Sequence, residues 1–255
     1  MTDLSADFLR LPLAHRALHD VKNGRPENSR AAIRAAIAAG YGIEIDLQIS
    51  SDGQAVVFHD YDLARLTRQK GPVQKRSAAE LSAVPLLGGD EGIPEFAEIL
   101  ELVAGRVPLL VELKDQHGQM GPTDGMLERA VAADLQGYAG PVAVMSFNPH
   151  MVAALRDLAP DVPRGLTTAG FRRIGWPLLK RSVRHHLRHI PDYDSVGASF
   201  ISHDIKGLDM SRVAELKAQG TAILCWTVRS LKEERAARMV ADNITFEGYL
   251  PEFPA

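Results

Sequence analysis

The sequence predicts a closed (β/α)8 TIM barrel, and three observations carry that prediction. Short apolar runs alternate with helical patterns along the whole chain, the runs number eight, and no Gly-x-Gly-x-x-Gly follows the first of them. Such alternation argues for a parallel α/β sheet, and a count of eight favours closure over an open doubly wound sheet. The missing glycine pattern removes the main argument for a dinucleotide fold. With 255 residues and 45% apolar content, the chain can bury the core of one such domain, expected to span 1–255.

Strands are expected at 11–16, 42–48, 108–114, 142–147, 164–168, 195–200, 222–228 and 243–248. Helices are expected between them at 29–39, 94–103, 125–135, 150–158, 176–189, 210–219 and 231–239. Several boundaries carry their own chemistry. Asn28 or Ser29 can cap the alanine-rich helix that follows, and Gly40 is placed to end it. Ser51-Asp-Gly-Gln54 is a tight-turn signal, so Ala55-Val-Val-Phe-His-Asp60 is expected to fold back beside the second strand. Residues 60–92, with glycines, prolines and weak periodicity, read as a small insertion after strand two, over the barrel mouth.

Charge and cysteine content narrow the function classes. A formal charge of -3 and a pI near 6.3 describe no global basic surface for nucleic acid. Cys225 is the only cysteine, which excludes an intrachain disulfide and a thiolate zinc cluster and fits a reducing compartment. The first ten residues lack a charged head followed by an apolar stretch, and no run of about 18 apolar residues occurs. A cytoplasmic protein without a membrane span is the expectation.

The chemistry starts from Glu44 and Asp46, two carboxylates two residues apart in the run Tyr41-Gly-Ile-Glu-Ile-Asp-Leu-Gln-Ile49. Side chains alternate along a strand, so both acids face one side and Ile43, Ile45 and Leu47 the other. Adjacent carboxylates repel unless a proton or a cation sits between them. In a barrel the site lies at the C-terminal ends of the strands. His15 and Arg16 end strand one, His59 and Asp60 end the returning arm, and Glu112 and Lys114 end strand three on one face. Each alone has a bland reading: a satisfied histidine, a solvated Lys114–Asp115 pair, Asp60 as a turn cap. Together they converge on one rim.

Glu44, Asp46 and Glu112 offer an all-oxygen ligand set suited to a hard cation such as Mg²⁺ or Ca²⁺. His15 and His59 can serve as general acid and base. Arg16 and Lys114 add the positive charge that holds a phosphoryl group. Phosphodiester cleavage is the reaction these parts suggest. Trp226 reads as an apolar wall for the substrate or as a plain core tryptophan.

The sequence resembles the glycerophosphodiester phosphodiesterase family. The resemblance rests on His15-Arg16, Pro26-Glu-Asn28, Glu44-Ile-Asp46, Asp52-Gly53, His59-Asp60 with Leu63 and Thr67, and Val111-Glu-Leu-Lys114. It is dense over 11–115 and continues at Ser146-Phe147 and Trp226-Thr-Val228. It implies a (β/α)8 barrel that hydrolyses glycerophosphodiesters to glycerol 3-phosphate and an alcohol. Glu44, Asp46 and Glu112 would then be metal ligands, and His15 and His59 the acid/base pair. The family mechanism it implies has a glycerol hydroxyl attack phosphorus to give a cyclic phosphate, which water opens. Three departures stand out: Ala17 where the family has Gly, Arg229 where it has Asn, and Thr245-Phe-Glu-Gly248 in place of Thr-Asp-x-Pro.

Alternatives remain at this stage. A lysophospholipase D, or a phosphodiesterase for a specialised sugar or amino-alcohol phosphate, would use the same residues, and a non-catalytic barrel could bind phosphodiesters. The basic segment Lys180-Arg-Ser-Val-Arg-His-His-Leu-Arg-His189 reads first as a solvated outer helix, with peripheral contact to anionic lipid as the second reading.

Overall fold

The computed structural model describes residues 2–253, so the expected domain span reaches beyond it at residues 1, 254 and 255. Its strands are β1 (Leu13–Ala14), β2 (Gly42–Ile49), β3 (Ala55–Val57), β4 (Leu109–Leu113), β5 (Val142–Ser146), β6 (Arg164–Thr168), β7 (Phe200–Asp204), β8 (Ala222–Val228) and β9 (Asn243–Phe246). The sheet runs β1-β9-β8-β7-β6-β5-β4-β2-β3, and a pairing of β1 with β2 closes it. β3 is antiparallel to the end of β2, pairing Leu47 with Val57. The remaining eight strands form a closed parallel barrel.

Helices α1 (Asp7–Arg10), α2 (Arg30–Ala39), α3 (Ala78–Ser82), α4 (Phe96–Val103), α5 (Met126–Asp134), α6 (Pro149–Leu158), α7 (Arg181–Arg188), α8 (Ser211–Ala218) and α9 (Leu231–Ala237) complete the chain. Strand alternation separates two cores. Outward residues such as Ile43, Ile45, Val111 and Val144 join Ile33, Ile99, Val131 and Val213 of the helices in one cluster. Inward residues Leu13, Leu110, Met145, Phe200 and Leu224 fill the barrel floor with Phe8 of α1. The Phe200 ring lies where a Cβ on Gly165 would stand only 2.4 Å away, so that strand position must be bare. The Asn243 amide donates to Phe8 O and Leu11 O at 2.7 Å each, tying α1 under the floor.

Between β3 and α4, the insertion carries its own small core of Phe58, Leu63, Val73, Leu81 and Ile93. A Ser77/Glu80 capping box starts α3, and the Ala78 N–H donates to Asp52 in the β2–β3 turn at 2.9 Å. α2 begins as expected, with Ser29 and not Asn28 as its cap, and Gly40 closes it at φ +78.

Four expected boundaries are corrected. The seventh strand is Phe200–Asp204, not 195–200; Val196 and Ala198 are buried in the turn before it, while Ser202 and His203 hide the strand from an apolar scan. The first strand shortens from 11–16 because Pro12 has no amide and Arg16 and Ala17 turn left-handed. The last strand stops at Phe246 instead of continuing to 248. The helix expected at 176–189 begins only at Arg181, since Pro177 disfavours helix at Trp176.

His203 faces outward from β7, fully buried, with Nδ1 2.7 Å from Thr168 Oγ1. Burial depresses its pKa from 6.5 to about 4. The unfolded chain therefore takes up a proton at higher pH than the folded one, and stability falls as pH drops from 6.5 toward 4. We expect denaturant titrations to show the wild type losing about 3 kcal/mol more than His203→Gln between about pH 7 and pH 4. Equal losses would contradict a neutral buried imidazole.

Candidate active site

β2 and β4 are neighbours in the barrel, and their register places Asp46 directly against Glu112. Glu44 lies one inward position earlier. The three carboxylates are 2%, 1% and 6% exposed for Glu44, Asp46 and Glu112, and their ligand-capable oxygens all lie within 4.8 Å of one another. Buried like charges at this spacing need compensation. Lys114 Nζ supplies part of it, 2.6 Å from Asp46 Oδ1 and 2.5 Å from Glu112 Oε1. Arg16 Nε stands 3.5 Å from Asp46 Oδ2, and the Arg16 backbone N–H donates to Glu44 Oε2 at 2.9 Å. Asn28, left-handed at φ +58, donates its amide to Asp46 Oδ2 at 2.9 Å.

These contacts split the acids. Burial opposes ionisation of Asp46, but Lys114, His59 and Arg16 outweigh it and hold the carboxyl well below the usual range. Glu44 is pushed well above its ordinary value by burial, then by Asp46 and Glu112. The Lys114 ammonium resists the pull of burial because Asp46 and Glu112 flank it, and its pKa is raised. An all-oxygen, buried donor set whose most strained member wants a proton or a cation fits a hard divalent ion.

Both histidines stand on carboxylates. His15, just beyond β1, donates Nδ1–H to Glu247 Oε2 at 2.6 Å, and Arg229 Nε holds the other Glu247 oxygen at 2.6 Å. Burial lowers the His15 pKa, with Glu247 opposing, so the imidazole is neutral near pH 7. His59 donates Nδ1–H to Asp60 Oδ1 at 2.6 Å. In each ring Nε2 has no hydrogen-bond partner among the described residues, and the carboxylate holds Nδ1–H.

Arg65 in the insertion ties these parts together. It forks to Asp60 at 2.6 and 2.7 Å and to Glu27 at 2.8 Å twice, and Glu27 in turn holds Arg16 Nη1 at 2.8 Å. Asp60 is thus an orienting group for His59 and not a turn cap; Asp62 caps the next turn. Sequence reasoning named His15, Arg16, Glu44, Asp46, His59, Glu112 and Lys114, and the fold brings all of them to one rim. It gave no role to Glu27 or Glu247, which it quoted only within motifs, and did not single out Arg65. The signal for Glu247 was present, since it continues the inward alternation Asn243, Thr245, Glu247. Arg229 and Glu247, read only as departures, prove to be partners. Ala17 sits at φ +64, where glycine would be unstrained.

Trp226 caps the opposite wall. Its indole N–H donates to Ser202 O at 2.9 Å, and its ring meets Phe147 edge-on at 5.5 Å. Phe147 also touches Phe171 and Trp176, at 6.1 and 5.0 Å, from the β6–α7 loop. A groove of about 1150 Å³ does not sit over the acids: it starts beside them at Tyr61 and Gln116 and runs along His150, Leu179 and Leu187.

A closed (β/α)8 barrel thus carries on one rim a buried acidic triad and two carboxylate-backed histidines. Residues 15–245 match the model of the glycerophosphoryl diester phosphodiesterase family. The chain belongs to that family of hydrolases. A glycerophosphodiester phosphodiesterase of Bacillus altitudinis is 28% identical over 256 residues, covering 94% of each chain. A phosphodiesterase of Oleispira antarctica, solved with its product sn-glycerol-3-phosphate, shares the fold at a TM-score of 0.74 and 24% identity, over 93% of each chain. The glycerophosphodiester phosphodiesterase of Thermotoga maritima does so at 0.68 and 18% identity, over 92% of each.

Lys114→Met would leave two buried carboxylates without their shared cation. The expected cost is about 3 kcal/mol of unfolding free energy, measured by urea denaturation of metal-stripped protein. Unchanged stability would show that the ammonium does not neutralise the pair.

Proposed function

We propose that this protein hydrolyses glycerophosphodiesters to glycerol 3-phosphate and an alcohol, with a divalent cation, Mg²⁺ or Ca²⁺, held by Glu44, Asp46 and Glu112. The observation that carries the reading is the buried acidic triad set between two imidazoles whose free Nε2 atoms are fixed by carboxylates. When bound, the cation supplies Lewis acidity toward a phosphoryl oxygen and the attacking hydroxyl.

The chain's own groups do the rest. Arg16 and Lys114 stand beside the acids and offset the charge of the phosphate as it enters. One histidine takes the proton of the neighbouring glycerol hydroxyl as its oxygen bonds to phosphorus. The other gives a proton to the alcohol oxygen as its bond to phosphorus breaks. Water then opens the cyclic phosphate with the two roles exchanged. Glu247 and Asp60 hold each Nδ1–H, so that Nε2 is the transferring atom in both rings, bare in the histidine that takes the proton and protonated in the imidazolium that gives it. The aromatic wall of Phe147 and Trp226 shields the glycerol or alcohol group from water. The same reading treats 1–255 as one barrel domain and takes it to be cytoplasmic, with which a single cysteine is compatible.

Two experiments test this. Metal-stripped protein should release glycerol 3-phosphate from glycerophosphocholine or glycerophosphoethanolamine only after Mg²⁺ or Ca²⁺ is restored. Silence with both ions, on these substrates and on lysophospholipids and sugar phosphodiesters, would favour a binding-only barrel. His15→Ala and His59→Ala should each cut turnover by at least about 10²-fold with an unchanged melting temperature; near wild-type turnover in either removes that residue from the mechanism.

The positioning network makes a separate prediction. Arg65→Ala frees Asp60 and Glu27 together, so kcat should fall by roughly tenfold or more through loosened His59 and Arg16. Arg65→Lys, which cannot fork, should recover only part of it. Full activity in Arg65→Ala would mean that the histidine is oriented without the insertion.

A further inference from the structure

Between Asp161 and Asp192 the chain has no acidic residue, and six cations fall within 172–188. This stretch leaves β6 on the C-terminal rim of the barrel, the same rim that carries the acidic triad. The structure adds what the basic sequence alone does not show. Ile174 and Leu178 are 94% and 92% exposed, with Arg172 and Arg173 exposed before them and Lys180 and Arg181 after. Trp176, between the two aliphatics, turns the other way and packs at 5.0 Å on both Phe147 and Phe171. The tryptophan thus anchors the loop to the barrel mouth while its neighbours on both sides face water.

A solvated outer helix accounts for Arg181, His185 and Arg188 but not for two aliphatic side chains standing free among cations. Within 172–190 the sole ion pair among the described residues joins His186 to Asp192. α7 buries only Leu187, so the segment's outer surface has no partner within the chain. Apolar tips ringed by uncompensated arginine and lysine match one kind of surface. They suit a bilayer whose anionic head groups meet the cations while the tips enter the acyl boundary.

We propose that the 172–188 segment docks this protein on anionic phospholipid membranes, with Ile174 and Leu178 inserted and Arg172, Arg173, Lys180 and Arg181 on the phosphates. Because Trp176 couples the segment to the aromatic wall, docking turns the barrel mouth toward the membrane. The proposal goes beyond the hydrolytic reading and does not rest on it.

The test is flotation of the full chain with vesicles of phosphatidylcholine alone or with about 30% phosphatidylglycerol. Binding is expected to the anionic vesicles only, and to fall roughly tenfold in high salt. Ile174→Glu/Leu178→Glu and, separately, Arg172→Glu/Arg173→Glu should each weaken it by about tenfold. Their melting temperatures should be unchanged, as should release of glycerol 3-phosphate from soluble substrate if the protein proves active. No binding to anionic vesicles at low salt overturns the proposal. Binding that survives the aliphatic replacement but not the charge reversal also overturns it, because the surface would then take a soluble polyanion and not a bilayer.

Discussion

Three carboxylates within 4.8 Å of one another, buried inside a protein, cannot all be ionised without positive charge among them. They are brought together by backbone pairing. β2 and β4 are adjacent, Asp46 and Glu112 share a register position, and alternation puts Glu44 on the same inner face. The barrel floor beneath them is apolar, so the crowding cannot be relieved downward into water. Everything polar around the mouth answers this concentration of negative charge.

The answer has two layers. Lys114, Arg16 and Asn28 contact the triad directly, and Asp46 takes most of that help while Glu44 is left short. Beyond them a second set of carboxylates holds the cations and imidazoles in place: Glu27 on Arg16, Asp60 on His59, Glu247 on His15. Arg65 and Arg229 then balance those carboxylates. An exposed ion pair contributes little alone. Forked contacts from one arginine to two acids restrict geometry, and here they make the insertion part of the machinery that orients the histidine.

Much of this was legible in the sequence. Regular alternation of apolar runs gave the barrel, and the i, i+2 acids of β2 and the Glu112–Lys114 pair of β4 announced an inward polar face. Less legible were elements that carry polar residues: β7, with Ser202 and His203, is expected at 195–200 and lies at Phe200–Asp204, where it pairs with β6 and β8. Loop partners were hidden for a different reason. Glu247 lies 232 positions from the His15 that it holds, and only the closure of β1 against β9 brings the two together. Arg65 carries no local signal, because its role depends on how the insertion folds back on its own small core.

The central claim is that the triad is a cation site. Calorimetric titration of metal-stripped protein with Mg²⁺ or Ca²⁺ tests it most directly, since it reads binding without reference to turnover. The account predicts saturable binding of a single ion by the wild type, with most of the affinity lost in Glu44→Gln. An absence of binding by either ion, or equal affinity in Glu44→Gln, would contradict it and leave the acids to be neutralised by Lys114, Arg16 and a proton.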